Sequence, residues 1–342
     1  MLTDFLAFTL AHNGLAHNKL TDTGSADTGP PQSHGELPGG ATWRWLGAGV
    51  LECLPAAPAA ASVVLSAGIH GDETAPIEIL SALVAAIAVG EVPLRVRLLV
   101  LLGNVAAMCD ARRYLDDDLN RLFGGRHRVL PESREALRAM MLEQAVSEFF
   151  AGAGESRLHL DLHTAIRPSV FERFALLPQR DAPYEPDIFA WLGALGIEAV
   201  LLHRSASGTF AHYSSSEHQA LACTLELGKV MPFGRNDLSR YAALADGLRR
   251  RLAAEPQAVA AVPPPRIFEV VASLDKRSAE FVLPVGDGMP NFTAYPRGTL
   301  VAQDGDYRYQ VTHDEERIVF PNPRVKVGLR AGLMVVERKA PE

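Results

Sequence analysis

An imidazole and a carboxylate lie three residues apart in the segment GIHGDE, residues 68–73, as His70 and Glu73. The run VVLSA before this segment predicts a buried strand, and a strand that ends here would bring both side chains to one edge of a sheet. Imidazole nitrogen and carboxylate oxygen are both zinc ligands, and a catalytic zinc ion keeps one coordination position open. The segment therefore predicts two ligands of a catalytic zinc site, and so a hydrolase.

A third ligand is predicted in the segment LHLDLHT, residues 158–164. Its alternation puts the leucines on one face of a strand and His159, Asp161 and His163 on the other. His163 comes at the end of that strand, where open α/β sheets bind ligands, and it would complete a set of two histidines and one glutamate. Asp161 is either a residue that orients an imidazole from behind or, like His159, a buried polar group bonded to backbone.

A general base is predicted at Glu226, inside the apolar run ACTLELG of residues 222–228. A carboxylate in the middle of an apolar strand is costly unless it is paired or functional. Pairing with Lys229 or with an arginine is one interpretation, and a general base that acts on a zinc-bound water is the other. Burial would raise the pKa of this carboxyl, and a nearby cation would lower it.

The loop RRYLDDDLNR, residues 112–121, mixes arginines, carboxylates and an amide after the second predicted buried strand. It is either a solvated charged loop or part of a site for an anionic substrate. In a site, Arg113 and Arg121 could each bind a carboxylate through two parallel hydrogen bonds. Asn120 would add a further hydrogen bond, and Asp118 would orient an arginine.

Strands and helices alternate along the part of the chain that carries these residues. Strands are predicted at residues 63–69, 97–102, 158–162, 199–203 and 221–227, with a strand or hairpin at 43–54 before them, and helices at 76–89, 132–150 and 236–253. The alternation predicts an α/β fold with a largely parallel sheet covered by helices on both faces. In the helix at 132–150, the predicted apolar residues are Leu137, Met140, Met141 and Val146.

The composition changes near residue 258. Residues 258–265 are rich in alanine and proline and indicate a linker, and short β-type runs separated by glycine-containing turns follow up to residue 338. We therefore expect a catalytic α/β domain at residues 1–257, and a linker with a small C-terminal β-rich domain at 258–342. Residues 21–40, rich in Gly, Pro, Ser and Thr, are predicted to form a flexible loop.

The net charge of −7 argues against nonspecific binding to nucleic acid. Three widely spaced cysteines, without a C-x-x-C pair, argue against a disulfide framework or a cysteine–zinc site and fit a reducing cytoplasm. The apolar start, Met1 to His12, lacks the basic residues of a signal peptide, and no run reaches the ~18 apolar residues of a membrane-spanning helix. A small anionic molecule is thus the expected partner, without nucleic acid or membrane, and a homo-oligomer stays open.

Taken together, the motifs resemble the succinylglutamate desuccinylase/aspartoacylase family, which is related to the zinc carboxypeptidases. The matching segments are GIHGDETAP, RRYLDDDLNRLFGG, HLDLHTAIRPS, CTLELGKVMPFGRNDL and, near the end, VTHDEERIVFPNPRVKVGLRAGLM. The resemblance extends over nearly the whole chain apart from residues 21–40. It implies a zinc carboxypeptidase-like α/β fold, in which a mixed sheet is flanked by helices, with a small C-terminal β-rich domain.

The resemblance also implies a reaction and a set of site residues. The reaction is the zinc-dependent hydrolysis of N2-succinyl-L-glutamate to succinate and L-glutamate, the last step of the succinyltransferase pathway of arginine catabolism. One zinc ion per chain would be bound by His70, Glu73 and His163, with Glu226 as general base and acid. The positions that match substrate contacts are Arg113, Asn120 and Arg121, with Asp118 in a supporting role. Asp72 departs from the family pattern, which often has asparagine there, and it adds negative charge beside an anionic substrate.

Other functions stay open at this stage. One is an aspartoacylase-type amidohydrolase that acts on another N-acyl amino acid, or a true carboxypeptidase. Another is a non-catalytic module that binds zinc or carboxylates, although such a module would be expected to lack the base, and Glu226 is present. A structural zinc protein would need a fourth protein ligand, for which His127, His203 and His212 are candidates.

Overall fold

The computed structural model describes residues 1–13, 33–152, 156–256, 263–286 and 288–338. Its α-helices in these ranges are α1 (Phe5–Ala11), α2 (Thr74–Ala88), α3 (Val105–Cys109), α4 (Arg134–Ala151), α5 (Pro186–Ala194), α6 (Phe210–His218) and α7 (Ala242–Leu252). Its strands are β1 (His34–Glu36), β2 (Thr42–Gly47), β3 (Val50–Leu54), β4 (Ala61–Ala67), β5 (Arg97–Leu102), β6 (Ser156–Ala165), β7 (Arg173–Leu177), β8 (Ala199–Leu202), β9 (Leu221–Lys229), β10 (Arg266–Asp275), β11 (Thr293–Pro296), β12 (Leu300–Asp304), β13 (Tyr307–Gln310), β14 (Glu315–Val319) and β15 (Arg330–Glu337). Within the described ranges, no helix combines the length and the apolar character needed to cross a membrane.

The chain divides into two compact units, each assembled from separate stretches of sequence. The first comprises Met1–Thr164, Ser207–Leu225 and Val230–Ala260, and the second comprises Ala165–Ala206, Glu226–Lys229 and Ala261–Glu342. The predicted linker at 258–265 lies partly outside the described residues, which resume at residue 263. The predicted domain boundary therefore stays a prediction.

The first unit contains a mixed sheet. β1, β2 and β3 pair antiparallel in sequence order, and β3 also pairs antiparallel with β5. β5 and β6 both run parallel to β4, which lies between them. The apolar sequences of β4 and β5 suit this position, because strands with both faces covered carry nearly continuous apolar runs. The predicted α/β class is confirmed, and the parallel arrangement holds for β4, β5 and β6 but not for the antiparallel strands β1 to β3.

α4 belongs to the hydrophobic core of the first unit. Of the apolar residues noted in its sequence, Val146 is buried, whereas Leu137 and Met140 are 45% and 42% exposed. The buried face of the helix combines small and large side chains, which lets it pack closely on the core. Its members are Ala136, Ala139, Leu142, Val146, Phe149 and Phe150.

The second unit is rich in β structure. β7, β8 and β10 pair parallel in this order, and β10, β15, β14 and β11 then pair antiparallel, with β12 and β13 as a separate hairpin. Its core contains the buried rings of Phe174, Phe268 and Phe292, whose centroids lie 5.1 to 5.2 Å from one another where they meet. The predicted β-rich C-terminal region is confirmed.

Two of the differences from the sequence prediction, at β1 and at α6, have clear local causes. Within the predicted flexible loop at 21–40, residues 21–32 lie outside the described residues, but His34–Glu36 is strand β1, which pairs with residues 42–44. The loop prediction is wrong there because backbone pairing with β2 needs no apolar pattern. α6 was also not predicted: its sequence FAHYSSSEH lacks an apolar stripe, and its start is fixed by Thr209, whose hydroxyl accepts from the N–H of His212 at 3.3 Å.

Candidate active site

His70, Glu73 and His163 lie together at the edge of the first unit's sheet where β4 and β6 end. The parallel pairing of these strands aligns Ala67 with Leu162, so the residues that follow meet at the same edge. All three side chains are buried, and one ligand atom of each lies within 4.8 Å of the others. The group could therefore hold a metal ion on two nitrogens and one carboxylate oxygen.

Two glycines allow the chain to turn from β4 into this group. Gly68 has φ +67°, and a Cβ there would lie 2.0 Å from Cε of Met108. A Cβ on Gly71 would lie 2.4 Å from the carbonyl carbon of Ala107, and the Gly71 N–H donates to the carbonyl of Arg113 at 3.1 Å. A larger residue at either position would push the turn away from this neighbouring segment, so the close approach requires glycine.

Each histidine turns Nδ1 toward Glu73 and Nε2 toward a second carboxylate. The distance from Nδ1 to the nearest oxygen of Glu73 is 2.9 Å for His70 and 2.9 Å for His163. Nε2 of His70 lies 2.9 Å from Oδ1 of Asp118, and Nε2 of His163 lies 2.9 Å from Oδ2 of Asp161. Each Nε2 donates to its own carboxylate, which only accepts. The two Nδ1 atoms converge on Glu73, the third ligand candidate, so they are the atoms that could bind a metal ion together with it.

The surrounding charges keep Glu73 ionised. Burial alone would raise the pKa of the Glu73 carboxyl, but the adjacent His70 and His163 outweigh it and hold the pKa well below its ordinary value. Burial would lower the pKa of His163, but Asp161 and Glu73 raise it well above its ordinary value. A metal ion bound by Nδ1 of His163 would displace any proton on that atom.

Asp118 connects this group to the charged loop. Burial would raise the pKa of its carboxyl, but Arg121, His70 and Arg113 hold the pKa well below its ordinary value. Nε of Arg121 lies 4.0 Å from Oδ2 of Asp118, and Nη1 of Arg113 donates to Oε1 of Glu73 at 2.7 Å. Both arginine side chains stay partly exposed, at 30% for Arg113 and 39% for Arg121. The sequence placed Asp118 beside an arginine, and its contact with His70 was not predicted.

Asn120 is fixed by the start of α6. Its Oδ1 accepts from the backbone N–H of Phe210 at 3.0 Å, and its own backbone N–H donates to Oδ1 of Asp118 at 3.0 Å. Because a backbone N–H can only donate, the atom that faces Phe210 is the amide oxygen. The amide NH₂ of Asn120 is then the end that can donate to a substrate.

Glu135, which the sequence analysis missed, holds the first part of the charged loop. Its buried carboxylate accepts from the backbone N–H groups of residues 115–117 at 2.7, 3.0 and 3.2 Å, and from Nδ2 of Asn104 at 3.0 Å. These bonds fix the loop directly before Asp118. A glutamate in the first turn of a helix is common near the positive end of the helix dipole, so its residue type gave no signal.

Glu226 lies in strand β9, where the sequence predicted a strand, and it is 7% exposed. It is part of the second unit, whereas His70, Glu73 and His163 are part of the first. Its assignment as general base stays a prediction.

A structural zinc site would need a fourth protein ligand, and none lies with His70, Glu73 and His163 among the described residues. Across the described ranges, the metal-binding candidates consist of His70, Glu73 and His163 alone, without His127, His203 or His212. Nδ1 of His127 lies instead 3.6 Å from a carboxylate oxygen of Glu143. Three protein ligands are typical of catalytic zinc sites, where the fourth position is open.

Two family models match the chain. The model of the succinylglutamate desuccinylase/aspartoacylase catalytic domain matches residues 59–252, and the model of the AstE/AspA barrel-sandwich hybrid domain matches residues 263–338. The first match covers more than half of the chain and includes all the residues described above as a candidate site.

Similar proteins extend the match to nearly the whole chain. A succinylglutamate desuccinylase from Burkholderia lata is 55% identical over 345 residues, which cover 98% of this chain and 94% of the relative. The crystal structure of the succinylglutamate desuccinylase from Chromobacterium violaceum is 42% identical, with 99% of both chains covered and a TM-score of 0.82. That of succinylglutamate desuccinylase from Vibrio cholerae is 32% identical, with 97% of this chain and 94% of the other covered and a TM-score of 0.86.

Proposed function

The chain belongs to the succinylglutamate desuccinylase/aspartoacylase family, and we propose that it hydrolyses N2-succinyl-L-glutamate to succinate and L-glutamate. This reaction is the last step of the succinyltransferase pathway of arginine catabolism. The observation that carries the proposal is the buried group of His70, Glu73 and His163, whose ligand atoms lie within 4.8 Å of one another. Relatives named for this activity match the chain over nearly its whole length, which supports the choice of substrate.

We propose that the group binds one zinc ion per chain. Two imidazole nitrogens and one carboxylate oxygen are a ligand set that catalytic zinc uses, and Asp118 and Asp161 would hold the two rings from behind. Ionised Glu73 supplies negative charge to offset that of the cation. When bound, zinc supplies Lewis acidity, which lowers the pKa of a water molecule toward ~7 and polarises the amide carbonyl.

Glu226 is proposed as the general base and acid. Its carboxylate would take a proton from the attacking water and return it to the amine of the departing glutamate when the amide bond breaks. Two observations support this role: Glu226 lies in the predicted strand, β9, and within the segment that the catalytic-domain family model matches.

The charged loop is proposed to bind the carboxylates of the substrate. N2-succinyl-L-glutamate has three, one on the succinyl group and two on the glutamate. Arg113, Arg121 and the amide NH₂ of Asn120 are hydrogen-bond donors, and two of them are cations, so they suit an anion in an otherwise acidic protein. Arg113, which contacts Glu73, is also proposed to stabilise the charge that develops on the carbonyl oxygen.

A substrate comparison tests the reaction. N-succinylglutamate, N-acetylaspartate and a short peptide are each offered to zinc-loaded protein and to protein treated with a chelator. We expect rapid release of succinate that stops on chelation and returns with zinc, and at most weak turnover of the other two. Preference for N-acetylaspartate or for the peptide would replace the proposal with an aspartoacylase-type or carboxypeptidase function, and zinc binding without turnover would indicate a non-catalytic module.

The Glu226→Gln variant tests the base. We expect it to retain one equivalent of zinc and lose at least about 100-fold in kcat, since general base catalysis contributes 10²–10⁴-fold. Glu52→Gln is a matched control: Glu52 is also buried within a strand, β3, and pairs with Arg44 at 2.6 Å. Near-normal turnover of the Glu226→Gln variant with full zinc would remove Glu226 from the mechanism.

We also propose a domain boundary and a cytoplasmic location for the protein. A boundary between the predicted domains at 1–257 and 258–342 is supported by separate family matches to 59–252 and 263–338. A cytoplasmic location is supported by the cysteines Cys53, Cys109 and Cys223, which are all free thiols, as a reducing compartment would keep them.

A further inference from the structure

Four polar side chains lie in the core of the first unit behind His163. Ser66, His159, Asp161 and Ser214 are each 0% exposed. Buried polar groups are costly unless each finds a partner, and a fully satisfied network of this kind can fix one arrangement of its members. Three of the four, Ser66, His159 and Ser214, have no part in the function proposed above.

These side chains form one continuous hydrogen-bonded chain. Oγ of Ser214 lies 2.7 Å from Nδ1 of His159, and Nε2 of His159 lies 2.8 Å from Oγ of Ser66. The Ser66 hydroxyl donates to Oδ1 of Asp161 at 2.6 Å, and Oδ2 of the same carboxylate lies 2.9 Å from Nε2 of His163. The chain therefore ends on a proposed zinc ligand.

The direction of every hydrogen bond in this chain follows from the chemistry of its members. Asp161 only accepts, so the single proton of the Ser66 hydroxyl is committed to it. Nε2 of His159 must then donate to the oxygen of Ser66. A neutral His159 has no proton left for Nδ1, so this atom accepts from the hydroxyl of Ser214.

The neutral form of His159 is the stable one in this environment. Its ring is buried, and burial lowers its pKa to about 4 although Asp161 opposes the shift. The ring therefore carries one proton at neutral pH, and the hydrogen bonds place that proton on Nε2.

The sheet and one helix bring these residues together. β4 and β6 are parallel neighbours, and their register sets Ser66 directly beside Asp161. The period of two along β6 puts His159, Asp161 and His163 on one face. α6 supplies Ser214 to the far side of the His159 ring.

We propose that Ser66, His159 and Ser214 are positioning residues that fix the carboxylate plane of Asp161 and thereby the ring of His163 for zinc binding. The inference rests on the proposed function, because it assumes that His163 is a zinc ligand. Without a donor on Oδ1, the carboxylate of Asp161 can rotate, and Oδ2 then leaves the position that holds Nε2 of His163. Outer groups behind a metal-bound imidazole are known to tune metal affinity in this way.

Ser66→Ala is the first test, and Ser62→Ala is its matched control. Ser62 lies four residues earlier in the same strand and is also fully buried, but its hydroxyl accepts from Nη1 of Arg97 at 3.3 Å and has no link to Asp161. The readout is the zinc dissociation constant, measured by chelator competition on metal-free protein, with unfolding of the metal-free protein in urea alongside. We expect Ser66→Ala to weaken zinc binding about 10-fold, the lower end of effects on outer-shell partners, and Ser62→Ala to weaken it less than about 2-fold.

A pair of His159 variants gives a second test that separates positioning from folding. In Gln the amide NH₂ extends about as far as Nε2 of His, so His159→Gln can still donate to Ser66. In His159→Asn the amide reaches only the position of Nδ1, so the bond to Ser66 is lost. We expect zinc affinity near the wild-type value for His159→Gln and about 10-fold weaker for His159→Asn, although both variants remove the same ring from the core.

The outcomes separate this inference from the proposed function. If wild-type protein binds no zinc, the proposed function and the positioning role are both refuted. If wild-type protein binds zinc and hydrolyses N-succinylglutamate but Ser66→Ala binds zinc as tightly as Ser62→Ala does, the positioning role alone is refuted. Equal zinc affinity in His159→Gln and His159→Asn would refute it in the same way, even if Ser66→Ala does not fold.

Discussion

Replacing Glu135 by glutamine should weaken both the fold and the proposed zinc site. Both carboxylate oxygens are in use: Oε1 accepts from Asn104 and from the N–H of Leu115, and Oε2 accepts from the N–H groups of Asp116 and Asp117. Glutamine keeps one oxygen and turns an NH₂ group toward the other two donors. Either orientation therefore leaves two N–H donors facing a donor, in a site that is 1% exposed.

The size of the effect follows from the bonds that are lost. A hydrogen bond to a charged group contributes about 1.5–3 kcal/mol, so the loss of two amounts to about 3–6 kcal/mol. The loop can move toward solvent and satisfy some of its N–H groups with water, so we expect a loss near the lower end, about 3 kcal/mol. Because the loop leads directly to Asp118, which holds His70, zinc affinity should also fall, by about 10-fold.

Urea unfolding of metal-free protein and chelator competition measure the two effects, and Glu143→Gln is the matched control. Glu143 lies on the same helix, and its Oε1 accepts from the N–H groups of Gly124 and Gly125, at 2.7 and 3.3 Å, while its Oε2 lies 3.6 Å from Nδ1 of His127, beyond hydrogen-bond distance. The single oxygen of glutamine can keep both bonds, so we expect a cost below about 1 kcal/mol and no change in zinc affinity. If the two variants lose the same stability, the argument from two occupied oxygens is wrong.

Three further variants test the site. His163→Ala should lose zinc, as measured by elemental analysis after dialysis. Asn120→Asp keeps the acceptor for Phe210 but turns a carboxylate oxygen toward an anionic substrate, so we expect at least about a 10-fold rise in KM with unchanged zinc content. Burial lowers the pKa of His159 from 6.5 to about 4. Between these two values the unfolded chain binds a proton on this ring that the folded chain does not, so the free energy of unfolding falls as the pH drops from 6.5 toward 4. Metal-free wild-type protein should therefore lose about 2 kcal/mol more between pH 7 and pH 5 than His159→Gln does.

Each of these three predictions would be contradicted by a specific result. Undiminished zinc in His163→Ala would remove this histidine from the ligand set. An unchanged KM in Asn120→Asp would place the substrate carboxylates elsewhere. Equal pH dependence of unfolding in wild-type protein and His159→Gln would mean that His159 is not held in its neutral form.

The strand-end residues were the predictable part of the site. His70 and Glu73 follow a strongly apolar strand, and His163 ends a strictly alternating one, so parallel pairing alone brings them to a common edge. The α/β class followed from the same alternation of elements. These predictions depend on local patterns, which the sequence shows directly.

The contacts that hold the loop and the rings were not predictable in this way. Asp118 meets His70 across 48 residues of sequence, and the loop that carries it is placed by Glu135 through backbone N–H groups. Such contacts depend on how irregular segments fold back, for which no periodicity exists. α6 was not predicted for a related reason, since its serines and histidines form no apolar stripe, yet Ser214 is fully buried.

The wide separation of the metal group along the chain has a consequence for the lifetime of the protein. Glu73 and His163 are 90 residues apart and meet only when β4 and β6 pair in register, so the unfolded chain lacks the site. A ligand that binds only the native state stabilises it by mass action, by about 2.7 kcal/mol when its free concentration is 100 times its dissociation constant. We therefore expect zinc supply to govern how long each molecule survives proteolysis, as well as how fast it works.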